Sequence, residues 1–97
     1  MRRLSISAAS VLQAIADGRP YGFDIIDATG LPSGTVYPAL SRLERDGYVR
    51  SSWEDTDSAH DAGRPPRRYY RVTASGRTAL ADAHARLQAL LPARSRP

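Results

Sequence analysis

Apolar residues recur along the chain with two different periods. Between positions 5 and 17 they fall at Ile6, Ala9, Val11, Leu12, Ile15 and Ala16. That three-and-four spacing predicts a helix, which Gly18 stops. Past Pro20, residues 21–29 carry Phe23, Ile25, Ile26 and Ala28, a second short helix ended by Gly30. Leu31 and Pro32 form a turn, and Ser33 is placed to cap a third helix with its hydroxyl. In that helix Val36, Leu40 and Leu43 make one apolar stripe, with Ser33, Tyr37, Ser41 and Arg45 roughly opposite and Arg42 on the flank. Pro38, just past the first turn, is expected to kink or tighten the helix start rather than break it. Asp46-Gly47 ends the helix.

The period then changes to two. Residues 48–54 predict a strand with Val49, Ser51 and Trp53 on one face. Residues 67–72 predict a second, with Tyr70 and Val72 on one face and Arg67, Tyr69 and Arg71 on the other. Tyr48 and Tyr70 are expected in the core. Residues 55–66, with Gly63, Pro65 and Pro66, are expected to form a polar, mobile loop. Thr73 caps a last helix reaching about Leu91. Its apolar arc holds Leu80, Ala83, Leu87, Leu90 and Leu91, widened by Ala79, while Arg77, Asp82, Arg86 and Gln88 lie mainly on the other side.

Three helices, a strand, a basic loop, a returning strand and a final helix, in that order, predict a mainly α fold with a small two-stranded antiparallel β-wing. This is a winged helix-turn-helix plus a C-terminal dimerisation helix. The expected division is 1–73 for the winged domain, 74–91 for the dimerisation helix and 92–97 for a disordered tail. A lone apolar C-terminal helix needs a cover, and a second copy around a two-fold axis supplies one. Leu80, Ala83, Leu87, Leu90 and Leu91 are the expected dimer contacts, and His84 is expected at the edge of that interface.

Composition narrows the chemistry. The 97 residues fit one small domain, marginal alone, with net charge +4. The charge is uneven: positions 1–61 hold six arginines against nine carboxylates, and positions 62–97 hold eight arginines against Asp82 alone. There is no lysine and no cysteine, so a disulfide framework and a cysteine zinc site are excluded. No apolar run approaches a membrane span, and a cytoplasmic protein is expected. His60 and His84 are the only histidines, and no serine has a base placed beside it, so no catalytic residue and no cofactor are expected. The acidic 54–61 segment could offer oxygen ligands to a hard cation, but its spacing matches no ligand pattern and no metal site is expected.

The polar face of the third helix suits a major groove. Ser33, Thr35 and Tyr37 can exchange hydrogen bonds with base edges or phosphates, Gly34 and Pro38 permit close approach, and Arg42 lies toward the groove wall. Tyr21 and Gly22 begin the second helix, whose N–H groups favour phosphate. In the wing, Arg64, Arg67, Arg68 and Arg71 stand together in sequence with no acid among them, and Arg64, Arg67 and Arg68 are expected on the DNA backbone. A winged-helix module that binds protein instead of DNA is the competing function; the acidic wing tip and the negative first half favour it.

Tyr21-Gly22-Phe23-Asp24-Ile25, the run TVYPALSRLERDGYV from Thr35 to Val49, Trp53, Gly63-Arg64-Pro65, the run RRYYRVT from Arg67 to Thr73, and Gly76 together resemble the PadR family of bacterial transcriptional regulators. The resemblance covers roughly positions 14–82. It implies a dimeric winged-helix repressor of its own or a neighbouring promoter, reading an inverted repeat in double-stranded DNA and released by a small-molecule effector. A single C-terminal helix implies the short subclass. That helix carries no aromatic residue, so a flat aromatic effector sandwiched at the dimer interface is not expected.

Overall fold

A computed structural model describes residues 3–91. The elements are α1 (Ile6–Ala16), α2 (Gly22–Thr29), α3 (Ser33–Arg45), β1 (Val49–Trp53), α4 (Thr56–Asp61), β2 (Arg68–Val72) and α5 (Ala74–Leu90). This is the expected mainly helical fold with one two-stranded antiparallel sheet. No described helix is long and apolar enough to cross a membrane. The expected 92–97 tail lies outside the described residues.

The core forms where the stripes of α1 and α3 meet. Val11, Leu12, Ile25, Val36, Leu40, Leu43 and Val49 are almost fully buried there. Each such side chain removed from water stabilises by about 1.5–3 kcal/mol. Tyr48 and Tyr70 close the core on the sheet side, as expected. Burial pushes the Tyr70 phenol above its ordinary range, so it stays neutral. Ile6, counted in the α1 stripe, is instead 81% exposed, because it begins the helix beyond the reach of α3.

Two helix starts differ in the residue that caps them. Ser5 caps α1, its Oγ accepting the Ala8 N–H at 3.1 Å. Ser33 does not cap α3. Pro32 holds the extended cap position and Ser33 is the first helical residue, with no side-chain cap. Proline fits there because its fixed φ is compatible with the extended cap conformation (φ −70°, ψ 156°) and the helix makes no use of the N–H it lacks.

The expected mobile loop contains α4. Asp55 caps it, accepting from the Asp57 N–H and the Ser58 hydroxyl, and Ala59 is completely buried. The Arg64 N–H returns to the Ala59 carbonyl at 3.1 Å, so the segment folds onto its own turn.

α5 starts inside the core. Thr73 caps it, accepting from the Gly76 N–H at 3.0 Å, as expected. A Cβ on Gly76 would stand 2.1 Å from the Tyr48 carbonyl oxygen, so only glycine lets this turn lie on the chain between α3 and β1. Leu80 and Ala83 are 8% and 9% exposed within the single chain. α5 thus packs Leu80 and Ala83, both expected at a partner interface, against its own domain within the single chain, although Ala83 also lines a groove between α1 and α5. Leu87, Leu90 and Leu91 remain 50%, 81% and 58% exposed.

Candidate nucleic-acid interface

α3 presents its stripe inward and leaves a continuous polar face. Ser33, Gly34, Tyr37, Pro38, Ser41, Arg42 and Arg45 are exposed, and Thr35 is half-buried. Pro38 stands inside the helix without ending it. It cannot donate to the Gly34 carbonyl one turn earlier, and the Ser33 and Gly34 N–H groups are first-turn donors with no intrahelical acceptor. A Cβ on Gly34 would meet nothing within 4 Å. Glycine in a helix costs about 1 kcal/mol relative to alanine, and no contact in the described protein calls for it there.

Gly22 has a different role from the expected one. It is buried beneath Tyr37, and a Cβ there would come 2.6 Å from the Tyr37 ring and hydroxyl. It is therefore the seat of the Tyr37 side chain and not itself a surface for phosphate. Tyr21, half-buried beside it, joins α2 to the wing. It makes an antiparallel bridge to Tyr69, and the Tyr70 N–H donates to the Pro20 carbonyl at 2.9 Å. The Pro20–Tyr21 segment thus widens the sheet, pairing with the edge of β2 that β1 leaves free.

β1 and β2 pair in the register Val49 to Val72, Ser51 to Tyr70 and Trp53 to Arg68 on the inner face, with Arg50 to Arg71 and Ser52 to Tyr69 on the outer one. Arg68 therefore points inward, toward α3. Its Nη2 donates to Glu44 Oε1 at 3.1 Å and to Ser51 Oγ at 2.7 Å, and the Ser51 hydroxyl donates to Glu44. The guanidinium also lies 5.8 Å from the centre of the exposed Trp53 ring. Glu44 is on α3, so this network ties α3 to the wing.

A second network sits at the wing tip. Arg64 makes a two-pronged pair with Glu54, one arm at 2.8 Å. Glu54 also accepts from the Arg67 N–H at 3.3 Å and the Tyr21 hydroxyl at 3.4 Å. The Arg64 hydrogen bond is the main cause holding the Glu54 carboxyl down at about 2. The Arg67 guanidinium lies over Phe23 at 4.7 Å and Tyr21 at 5.5 Å, whose rings stack 5.6 Å apart. The wing arginines, acid-free in sequence, are not acid-free in space: Glu44 reaches Arg68 from α3, and Glu54 reaches Arg64 from the end of β1.

These partners are hard to read from sequence. Glu44 and Arg68 are 24 positions apart. The period-two pattern does place Arg68 on the Tyr70 face, which is the available signal that it points inward. Among the described residues no three His, Cys, Asp or Glu side chains gather as a metal site.

The comparisons with known proteins bear on this geometry. The model of the transcriptional regulator PadR-like family matches residues 11–82. The chain belongs to the PadR-like family. It is a family of transcriptional regulators and not of enzymes. A PadR family transcriptional regulator from Eggerthella lenta DSM 2243 is 29% identical, with a TM-score of 0.65 over 82% of this chain and 72% of that one. A PadR family transcription regulator from Clostridium difficile R20291 is 21% identical, with a TM-score of 0.77 over 89% and 91% of the two chains. Bordetella bronchiseptica BpsR, whose DNA binding is regulated by 6-hydroxynicotinic acid, shares the fold at 18% identity, with a TM-score of 0.70 over 89% of this chain and 56% of its own. No curated protein matches the chain. The PadR membership and winged fold support a DNA-binding regulator of transcription.

Proposed function

We propose that this chain is a homodimeric, sequence-specific repressor of its own or a neighbouring promoter, reading an inverted repeat with α3. The observation that carries the proposal is the open α3 face. Gly34 stands at its start with no protein neighbour, the Tyr37 ring is seated beside it on Gly22, and none of Ser33, Thr35, Tyr37, Ser41 or Arg42 spends its side chain on a hydrogen bond within the described protein. Ser33, Gly34, Thr35, Tyr37 and Pro38 face the base edges, and Arg42 faces the phosphates. Tyr21 and Arg67 flank the same DNA from the start of α2 and from the wing.

The dimer is supported by the far end of α5. Ile6, Leu87 and Leu90 are exposed beside a groove of about 430 Å³ between α1 and α5, which Ala9, Gln13 and His84 also line. A second copy laid there by a two-fold axis covers these leucines and sets two α3 helices about one DNA turn apart. Near this groove Gln13 Oε1 is buried without a hydrogen-bond partner, and Arg86 Nε has only the long ion pair to Asp82 Oδ2 at 3.7 Å. A small molecule with polar groups for them, held where the two copies meet, is the proposed effector; by changing the angle between the copies it spoils the half-site spacing.

The test is a titration of the protein against its upstream intergenic DNA and a scrambled duplex at two salt concentrations, with sedimentation of Leu87→Glu beside the parent. The expected results are a selective, salt-sensitive footprint over an inverted repeat and a dimer that Leu87→Glu dissociates. Weak and equal binding of both duplexes, repeated with duplexes selected from random sequence, would instead indicate a protein-binding module.

A further inference from the structure

The register of the wing brings together two arginines that stand 21 positions apart in sequence. Arg50 on β1 and Arg71 on β2 are directly opposite, both exposed, on the outer face of the sheet. The Glu54 N–H donates to the Arg67 carbonyl and the Thr73 N–H to the Tyr48 carbonyl. Counting inward by twos makes Arg50 and Arg71 a hydrogen-bonded pair, with Cα atoms about 5.5 Å apart. Like charges placed so are destabilising. Among the described residues neither arginine has a carboxylate within ion-pair distance, although Arg64, Arg68 and Arg86 each do. Their outer-face neighbours Ser52 and Tyr69 are neutral, and the acid beyond them, Glu54, is already matched by Arg64. Nothing described in the protein compensates this pair.

We propose that Arg50 and Arg71 form a phosphate-contact site on the outer face of the wing. With Arg67 they carry the wing's charge to the DNA backbone, while Arg64 and Arg68 are positioning residues that fix the wing against α2 and α3. The inference rests on the DNA-binding reading above and changes which wing residues serve it. Charge complementarity selects the occupant: two adjacent exposed guanidinium groups without a carboxylate suit a polyanion. Arg42 and Arg45 stand exposed in the last turn of α3, and Arg50 follows on the strand that leaves it, on the sheet face turned away from α3, so exposed arginines occur on both sides of the turn that joins helix and wing. Duplex DNA offers a negative charge about every 1.7 Å of its axis, dense enough to serve both guanidinium groups. The stem of the wing thus becomes part of the contact surface, in addition to its tip.

The experiment measures the slope of log affinity against log salt for a selected duplex and a scrambled one. The proteins are the parent, Arg50→Thr/Arg71→Thr, Arg50→Lys/Arg71→Lys and Arg68→Gln, with Tm recorded for each. Threonine suits a strand, so the double threonine variant is expected to keep or raise Tm while its slope becomes shallower by about two on both duplexes. The lysine variant is expected to restore the slope, which a merely structural role for the arginines would not predict. Arg68→Gln is expected to lower Tm and keep the slope. An unchanged slope in the double threonine variant beside a steep parent slope would overturn this proposal alone. So would an Arg68→Gln slope as shallow as the double variant's. A parent with no salt-sensitive binding to any duplex would overturn the DNA-binding reading itself, and this proposal with it.

Discussion

On α3, the side chains of Ser33, Tyr37, Ser41 and Arg42 are exposed and make no hydrogen bond to the rest of the described protein. On the wing, Arg64 is clamped by Glu54, and Arg68 by Glu44 and Ser51. Both regions look like DNA-contact elements when the chain is scanned for polar faces and positive charge, yet α3 keeps its groups free while Arg64 and Arg68 on the wing are already paired. The difference teaches that a run of arginines states charge but not availability. A guanidinium already paired with a carboxylate has little left to exchange for a phosphate, and its work is to hold geometry. In this fold the paired arginines join three parts: Arg68 ties the wing to α3, and Arg64, through Glu54 and the Tyr21 hydroxyl, ties it to α2.

The contrast is broken most strongly at Tyr37. Tyr37→Ala removes a half-exposed side chain, so the fold should change little. Affinity for the selected duplex should fall roughly ten- to a hundredfold, about 1–3 kcal/mol, with little loss on scrambled DNA. Equal losses on both duplexes would remove α3 as the reader.

Gly22→Ala should act on the same ring from below. The added methyl must displace Tyr37, at a cost of about 1–2 kcal/mol in denaturant unfolding. Selected-duplex affinity should fall in the same direction as for Tyr37→Ala but by less, because the displaced ring can still reach the DNA.

Arg64→Ala tests the wing side of the comparison. Glu54, held at about 2 instead of its ordinary 4.5, contributes stability that is present above the unfolded value. That stability is lost as pH falls through the window toward 2. Arg64→Ala should therefore lower Tm near neutral pH, and the difference from the parent should close as the buffer is taken down through that window. The salt slope of DNA binding should stay as it was. Arg42→Ala, on the free side, should do the reverse: unchanged Tm, several-fold weaker binding to every sequence, and a slope shallower by about one.

Much of this arrangement is legible in the sequence because it is periodic. The stripe of Val36, Leu40 and Leu43, the alternation around Tyr70, and the turns at Gly30 and Gly47 each follow from local chemistry. α4 escapes the same scan, since six residues with Ala59 as their buried member form no stripe. The cap at Asp55 is its one local sign. The Glu44–Arg68 and Glu54–Arg64 pairs escape because they depend on how the wing folds back. Leu80 and Leu87 show a further limit: both are apolar on one arc of α5, and periodicity does not say that the first faces its own core and the second does not.

The central claim is that the α3 face is shaped for something outside the protein, and Gly34 tests it most directly. The measurement is the Tm of Gly34→Ala together with its ratio of affinities for the selected and scrambled duplexes. With no neighbour within 4 Å of the new methyl, stability should rise by about 0.5–1 kcal/mol, while the affinity ratio falls a few-fold because the methyl meets the DNA. A protein that gains stability and keeps its affinity ratio unchanged would contradict the account.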